Sequence, residues 1–147
     1  MIRVAAPVRL DFAGGWTDVP PFAVREVGLV VNAAIDLRVE ASFESGDDGI
    51  LLLAEDLKLS VRVRGAADLA ADGNLELHRG ALRMFPTGPG TLRTRSDLPL
   101  GSGLGSSGAL DVALIAALAG ARGEDLEPEE IAALGWHLEA VEAGMPG

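Results

Sequence analysis

A chain of 147 residues has room for one domain, and its 48% hydrophobic content supports a sizeable core rather than a disordered tail. A formal net charge of −10 argues against nucleic acid or an anionic membrane as partners, although backbone N–H groups hold small anions without net positive charge. With no cysteine, and with His78 and His137 as its two imidazoles, the sequence excludes disulfides and thiolate or zinc centres. The longest apolar run, Ala109 to Ala121, is broken by Asp111 and is too short to span a bilayer. The start, Met1-Ile-Arg-Val-Ala-Ala-Pro7, lacks the apolar segment of a signal peptide. Together these features read as a cytoplasmic protein.

In chain order, residues 2–12 alternate loosely, with Ile2, Val4, Val8, Leu10 and Phe12 on one parity, which predicts a strand. Gly14, Gly15, Pro20 and Pro21 then force a loop. From Val30 to Phe43 the chain is rich in β-branched residues. From Ile35 its apolar and polar residues alternate strictly, predicting a half-buried strand. Two short strands follow at Ile50–Leu53 and Leu57–Val63, and 64–74 reads as loop. Leu75–Phe85 has helical spacing and is ended by Pro86, Gly88, Pro89 and Gly90; Thr91–Arg95 is a further strand. A helix begins at Ser106 or Ser107, one of which is expected to cap it, and runs to about Ala119. Pro128 opens a last helix with the stripe Ile131, Leu134, Leu138 and Val141, closed by Gly144 and Pro146. The acidic residues Glu124–Glu130 suit a solvated helix start. The alternating strands predict a sheet with one solvated face, and the order of elements an α+β fold rather than a doubly wound parallel sheet.

The densest signal is Pro99-Leu-Gly-Ser-Gly-Leu-Gly-Ser-Ser-Gly-Ala-Leu110. Gly101, Gly103 and Gly105 permit left-handed backbone and close approach, and the helix that follows offers unbonded N–H groups and the positive end of its dipole. A phosphate needs that convergence of donors. No Gly-Lys-Ser/Thr follows, and the glycine spacing is not that of a dinucleotide fingerprint. The alternative is a plain turn before a helix.

Pro99, Gly101, Ser102, Gly103, Leu104, Gly105, Ser106, Ser107, Gly108 and Ala109 together resemble the second motif of the GHMP kinases, the galactokinase, homoserine, mevalonate and phosphomevalonate kinase superfamily. Its usual form is Pro-X-X-X-Gly-Leu-Gly-Ser-Ser-Ala-Ala, so Gly108 stands where an alanine is usual. Ala6-Pro-Val-Arg-Leu-Asp-Phe-Ala-Gly-Gly-Trp-Thr-Asp-Val-Pro-Pro-Phe22 is similar to the N-terminal substrate motif of the sugar branch, nearest the heptose-phosphate and fucokinase-like enzymes. Galactokinases proper have Glu-His where this chain has Gly15-Trp16, which argues against galactose.

The resemblance implies a ribosomal protein S5 domain 2-like α+β domain over 1–147, a mixed sheet with helices packed on one face, with ATP and Mg²⁺ bound and a sugar or sugar phosphate as acceptor. Pro99 and the residues from Gly101 to Ala109 would bind ATP. Arg9 would stand near the transferring phosphoryl group, where a guanidinium stabilises developing charge; otherwise it is an edge-strand arginine. Gly15, Trp16, Thr17 and Asp18 would bind the substrate. Asp18 is either a sugar anchor or an Asx turn before Pro20, and Trp16 either stacks on a sugar face or acts as a hydrophobic plug. Of Ser106 and Ser107, one would cap the helix and one bind Mg²⁺ or a phosphate oxygen. Glu139 stands where the family carries its metal-binding glutamate, with a solvated helix residue as the alternative and Glu142 as competitor.

The family's catalytic aspartate follows a Gly-X-Pro-Gly segment, here Gly144-Met-Pro-Gly147, and no aspartate of this chain matches it. The resemblance therefore implies an N-terminal domain, incomplete at its C-terminal end and inactive alone. Its partner would be the missing C-terminal half or a second copy, and an apolar face is expected where the rest would pack. The alternative is a non-catalytic nucleotide- or sugar-phosphate-binding module, or a subunit of a split kinase.

Overall fold

The computed structural model describes residues 1–69, 73, 75–99 and 101–144. Leu100, parts of the 64–74 segment and Met145-Pro-Gly147, all named above, lie outside them. Five strands, β1 (Ile2–Ala13), β2 (Val31–Ser45), β3 (Ile50–Ala54), β4 (Leu59–Val63) and β5 (Gly90–Ser96), form one sheet in the order β1-β2-β5-β3-β4. All neighbours are antiparallel except β3 and β5, which run parallel, so the sheet is mixed. Three α-helices, α1 (Glu76–Met84), α2 (Ser106–Ala121) and α3 (Pro128–His137), complete the α+β fold predicted from the element order. None is long and apolar enough to cross a membrane.

The β2 alternation holds where the helices cover it: Val39, Ala41 and Phe43 are buried, and Leu37 is exposed. In β1 the parity breaks. Ala6 and Val8 are buried, but register shifts between Pro7 and Arg9 and between Asp11 and Ala13 carry Leu10 and Phe12 out to solvent. The fourth strand starts at Leu59 rather than Leu57, because residues 55–58 form a turn with Lys58 in left-handed backbone.

Helix α2 is apolar nearly all round and lies at the centre, against β1 and β2 on one side and α1 and α3 on the other. Its Ala113, Leu114, Ile115, Ala117 and Leu118 are fully buried, packing with Leu52, Leu92, Leu82 and Leu138. Pro128 is the first residue of α3, behind a reciprocal Glu127–Glu130 capping box. After His137 the helix does not stop but widens into a π-helical turn, Leu138–Glu142, closed by the Ala143 N–H on the Leu138 carbonyl at 2.9 Å. Leu138 explains the dislocation. It is fully buried against Gly80 of α1, where an added Cβ would meet its Cδ1 at 2.6 Å.

Candidate functional site

The glycine loop ends β5 and begins α2. Gly101, Gly103 and Gly105 have φ of +73°, +72° and +67°, left-handed conformations that side chains resist. Gly105 occupies the N-cap position of α2 with no side-chain hydrogen bond, so the expected serine cap is corrected: Ser106 and Ser107 lie inside the first turn. Their hydroxyls are therefore not spent on capping, and the first N–H groups of the helix have no intrahelical partners. Among the described residues Ser102 Oγ is buried with no hydrogen-bond partner. A group rich in acceptor oxygens fits such a loop.

Arg9 lies against it. Its N–H donates to the Leu104 carbonyl at 3.2 Å, and a Cβ at Gly105 would rest 3.4 Å from its Nη1. Its Nε bonds Asp11 Oδ1 at 3.1 Å, and Asp11 Oδ2 lies 3.7 Å from where a Gly15 Cβ would be. Arg9 and Asp11 thus join the glycine loop to the 14–18 loop. Asp11 was missed from sequence, although it shares a strand parity with Arg9.

Within the 14–18 loop, Thr17 Oγ1 donates to the Gly14 carbonyl at 2.7 Å and accepts the Leu29 N–H at 3.1 Å, so its hydroxyl holds the loop closed. Gly14 and Gly28 let the two arms cross: an added Cβ would fall 1.8 Å from the Leu29 carbonyl oxygen or 1.9 Å from that of Thr17. Trp16 is 73% exposed. Asp18 is exposed. No hydrogen bond or ion pair among the described residues links Trp16 or Asp18 to the glycine loop.

On its other side the loop opens into a largely apolar cleft of about 320 Å³. Leu75 and Leu77 from α1, Val39 from β2, and Leu98, Pro99 and Leu110 from around the loop line it, with Ser106 and Ser107 at its rim. In its wall His78 Nε2 and Thr94 Oγ1 share a buried 2.8 Å hydrogen bond, and burial lowers the His78 pKa to about 4. Of the cleft the sequence marked Pro99, Ser106 and Ser107, and missed the apolar wall and the His78–Thr94 pair, because these residues come from separate elements of the chain.

The third part lies between α2 and α3. Glu139, in the π-helical turn, makes no hydrogen bond or ion pair among the described residues, whereas Glu142 is held by Arg83 at 2.9 Å. Facing Glu139 is Asp111, 1% exposed, with neither carboxylate oxygen hydrogen-bonded among the described residues. Burial, and then the charge of Glu139, raise its pKa to about 8. No group of three or more His, Cys, Asp or Glu among the described residues could hold a metal unaided. A serine hydroxyl with one or two carboxylates is a hard-oxygen set that fits Mg²⁺ when phosphate oxygens complete it.

Residues 62–147 match the family described as GHMP kinases N terminal domain. Over 99% of its length the chain is 33% identical to the D-glycero-alpha-D-manno-heptose 7-phosphate kinase of Campylobacter jejuni, covering 45% of that protein. It is 31% identical over 95% of its length to the bifunctional fucokinase/GDP-fucose pyrophosphorylase of Arabidopsis thaliana, covering 15% of it. The crystal structure of a D-glycero-D-manno-heptose 1-phosphate kinase from Bacteroides thetaiotaomicron superposes with a TM-score of 0.86 at 29% identity, over the whole of this chain and 50% of that one. The Lactococcus lactis galactokinase complexed with galactose, 20% identical with a TM-score of 0.79 over 99% of this chain and 39% of that one, shares the fold. The chain spans about half the length of the heptose-phosphate kinases it matches.

Proposed function

The chain belongs to the GHMP kinase family, and from that premise we propose that it is the nucleotide-binding part of a kinase that transfers the γ-phosphoryl group of ATP to a hydroxyl of a sugar or sugar phosphate. The observation that carries this reading is the left-handed glycine loop, with the Arg9 guanidinium on one side and the apolar cleft on the other. The cleft suits a flat apolar base. The loop N–H groups and Ser102 would hold phosphate oxygens. Arg9 would offset charge on the phosphoryl group in flight, with Asp11 fixing its orientation. Ser106 or Ser107 with Glu139 would hold Mg²⁺, which when bound neutralises phosphate charge. Gly15, Trp16 and Asp18 would receive the acceptor, with Thr17 keeping their loop in shape.

We place the general base outside this chain, since no aspartate here matches the family's position. The heptose-phosphate kinase relatives support that acceptor class, and the twofold length of those relatives supports a nucleotide-binding part that needs a further chain for turnover. A fluorescent ATP analogue should bind the chain, and Gly105→Val, which forces a β-branched residue into φ of +67° beside Arg9, should abolish binding. A coupled ADP-release assay over heptose phosphates and fucose should show no turnover by the chain alone. Unchanged affinity in the variant would sink the phosphate-loop assignment, and turnover would place the base within these residues.

A further inference from the structure

A carboxyl group with 1% exposure and both oxygens unpartnered needs a reason, because such a group loses hydration and gains nothing in return. Asp111 sits in the second turn of α2, in an otherwise apolar stretch where a leucine would pack without that cost. Helix α3 is what faces it. A Cβ at Gly135 would rest 3.5 Å from the Asp111 Cβ, and Glu139, one turn further on, lies close enough for its charge to act on Asp111. On α2 itself Ser107 is four residues before Asp111 and shares its face, and helical side chains lean toward the N-terminus, hence toward Ser107. Both serines reach the rim of the apolar cleft, but Ser106 is five residues before Asp111 and shares its face with Leu110, so only Ser107 stands one turn from the carboxylate.

We propose that Asp111 is a second carboxylate of the divalent-cation site, facing Glu139 across the α2–α3 contact, with Ser107 rather than Ser106 as the hydroxyl ligand. The proposal rests on the reading of Glu139 as a Mg²⁺ ligand and extends it. Two carboxylates and a hydroxyl leave Mg²⁺ the coordination positions that phosphate oxygens and water take in nucleotide sites. It also accounts for the orphaned oxygens: they are donor atoms set aside for a cation, kept at a cost to the fold.

The test is Mn²⁺ uptake by the 147-residue chain, followed by electron paramagnetic resonance with and without a non-hydrolysable ATP analogue, together with the thermal midpoint in chelator. Glu139→Gln should weaken uptake, and Asp111→Asn should weaken it by about 10–100-fold. Asp111→Leu should weaken it equally while raising the metal-free thermal midpoint, a pairing that a merely structural aspartate would not produce. Uptake lost in Glu139→Gln but unchanged in both Asp111 variants would overturn the role of Asp111 and leave the cation site standing. A parent chain that takes up no Mn²⁺ even with the analogue present would overturn both. Loss of fold in both Asp111 variants would mark the residue as structural and overturn the proposal.

Discussion

Arg9 shows how one side chain is tied to two parts of the candidate site. Its backbone holds the glycine loop at Leu104, and its guanidinium touches the loop at Gly105 while its Nε holds Asp11. The ion pair itself adds little to stability, because the two side chains are 48% and 33% exposed and solvent screens them. The charge toward a bound phosphate is another matter, since a charge-assisted hydrogen bond contributes about 1.5–3 kcal/mol, or roughly 10–100-fold in affinity. Arg9→Ala should therefore weaken a non-hydrolysable ATP analogue by about that factor, leave adenosine binding unchanged and barely move the urea midpoint. Isothermal titration with the two ligands checks it. Equal losses for both would mean that Arg9 shapes the loop instead of meeting the phosphates.

At the scale of elements, legibility followed locality. The Ile35–Phe43 alternation was readable because helices cover one face of β2, and Pro128 because its missing N–H is free at a first helical position. The α2 cap was misread: two serines beside a glycine satisfy a local rule, yet the third left-handed glycine takes the N-cap and pushes both serines into the helix. The π-helical turn had no local signal, because it depends on Leu138 docking onto Gly80, 58 positions away in a different helix. Asp111 read as a flaw in an apolar run until α3 was placed over it. The π turn is held by Arg83, whose Nε bonds Glu142 Oε2 at 2.9 Å, whose Nη2 donates to the Glu142 carbonyl at 2.9 Å, and whose Nη1 donates to the Leu69 carbonyl at 2.6 Å. Arg83→Met keeps much of the packing and strands those acceptors, so it should cost about 1–3 kcal/mol in urea unfolding. It should also weaken Mn²⁺ uptake, since Glu139 rides on the same turn. A cost below about 0.5 kcal/mol, within the range of ordinary surface substitutions, would show that the turn is held by Leu138 alone.

For the molecule as a whole, two buried titratable groups pull stability in opposite directions with pH. His78 titrates at about 4 in the fold against 6.5 when unfolded, so between those values the unfolded chain binds the extra proton and stability rises with pH. Asp111 titrates at about 8 in the fold against 3.8 unfolded, so the folded chain binds the extra proton and stability falls as pH rises through that window. The two slopes oppose each other from about pH 4 to 6.5, and above 6.5 the Asp111 slope acts without its counterweight. Below about pH 6.5 a single unfolding profile therefore hides both. Replacing the imidazole with a neutral amide that still reaches Thr94, His78→Gln, removes one of them. The variant should lose stability at neutral pH by removing a well-packed group, but its deficit against the parent should shrink by up to about 3 kcal/mol on going from pH 7 to pH 4. Urea midpoints at half-unit steps in chelator would read this out. A deficit that stays constant across the interval would show that His78 takes up a proton equally in the folded and unfolded chain. The cleft wall would then open to water below neutral pH instead of staying dry behind the Thr94 hydrogen bond.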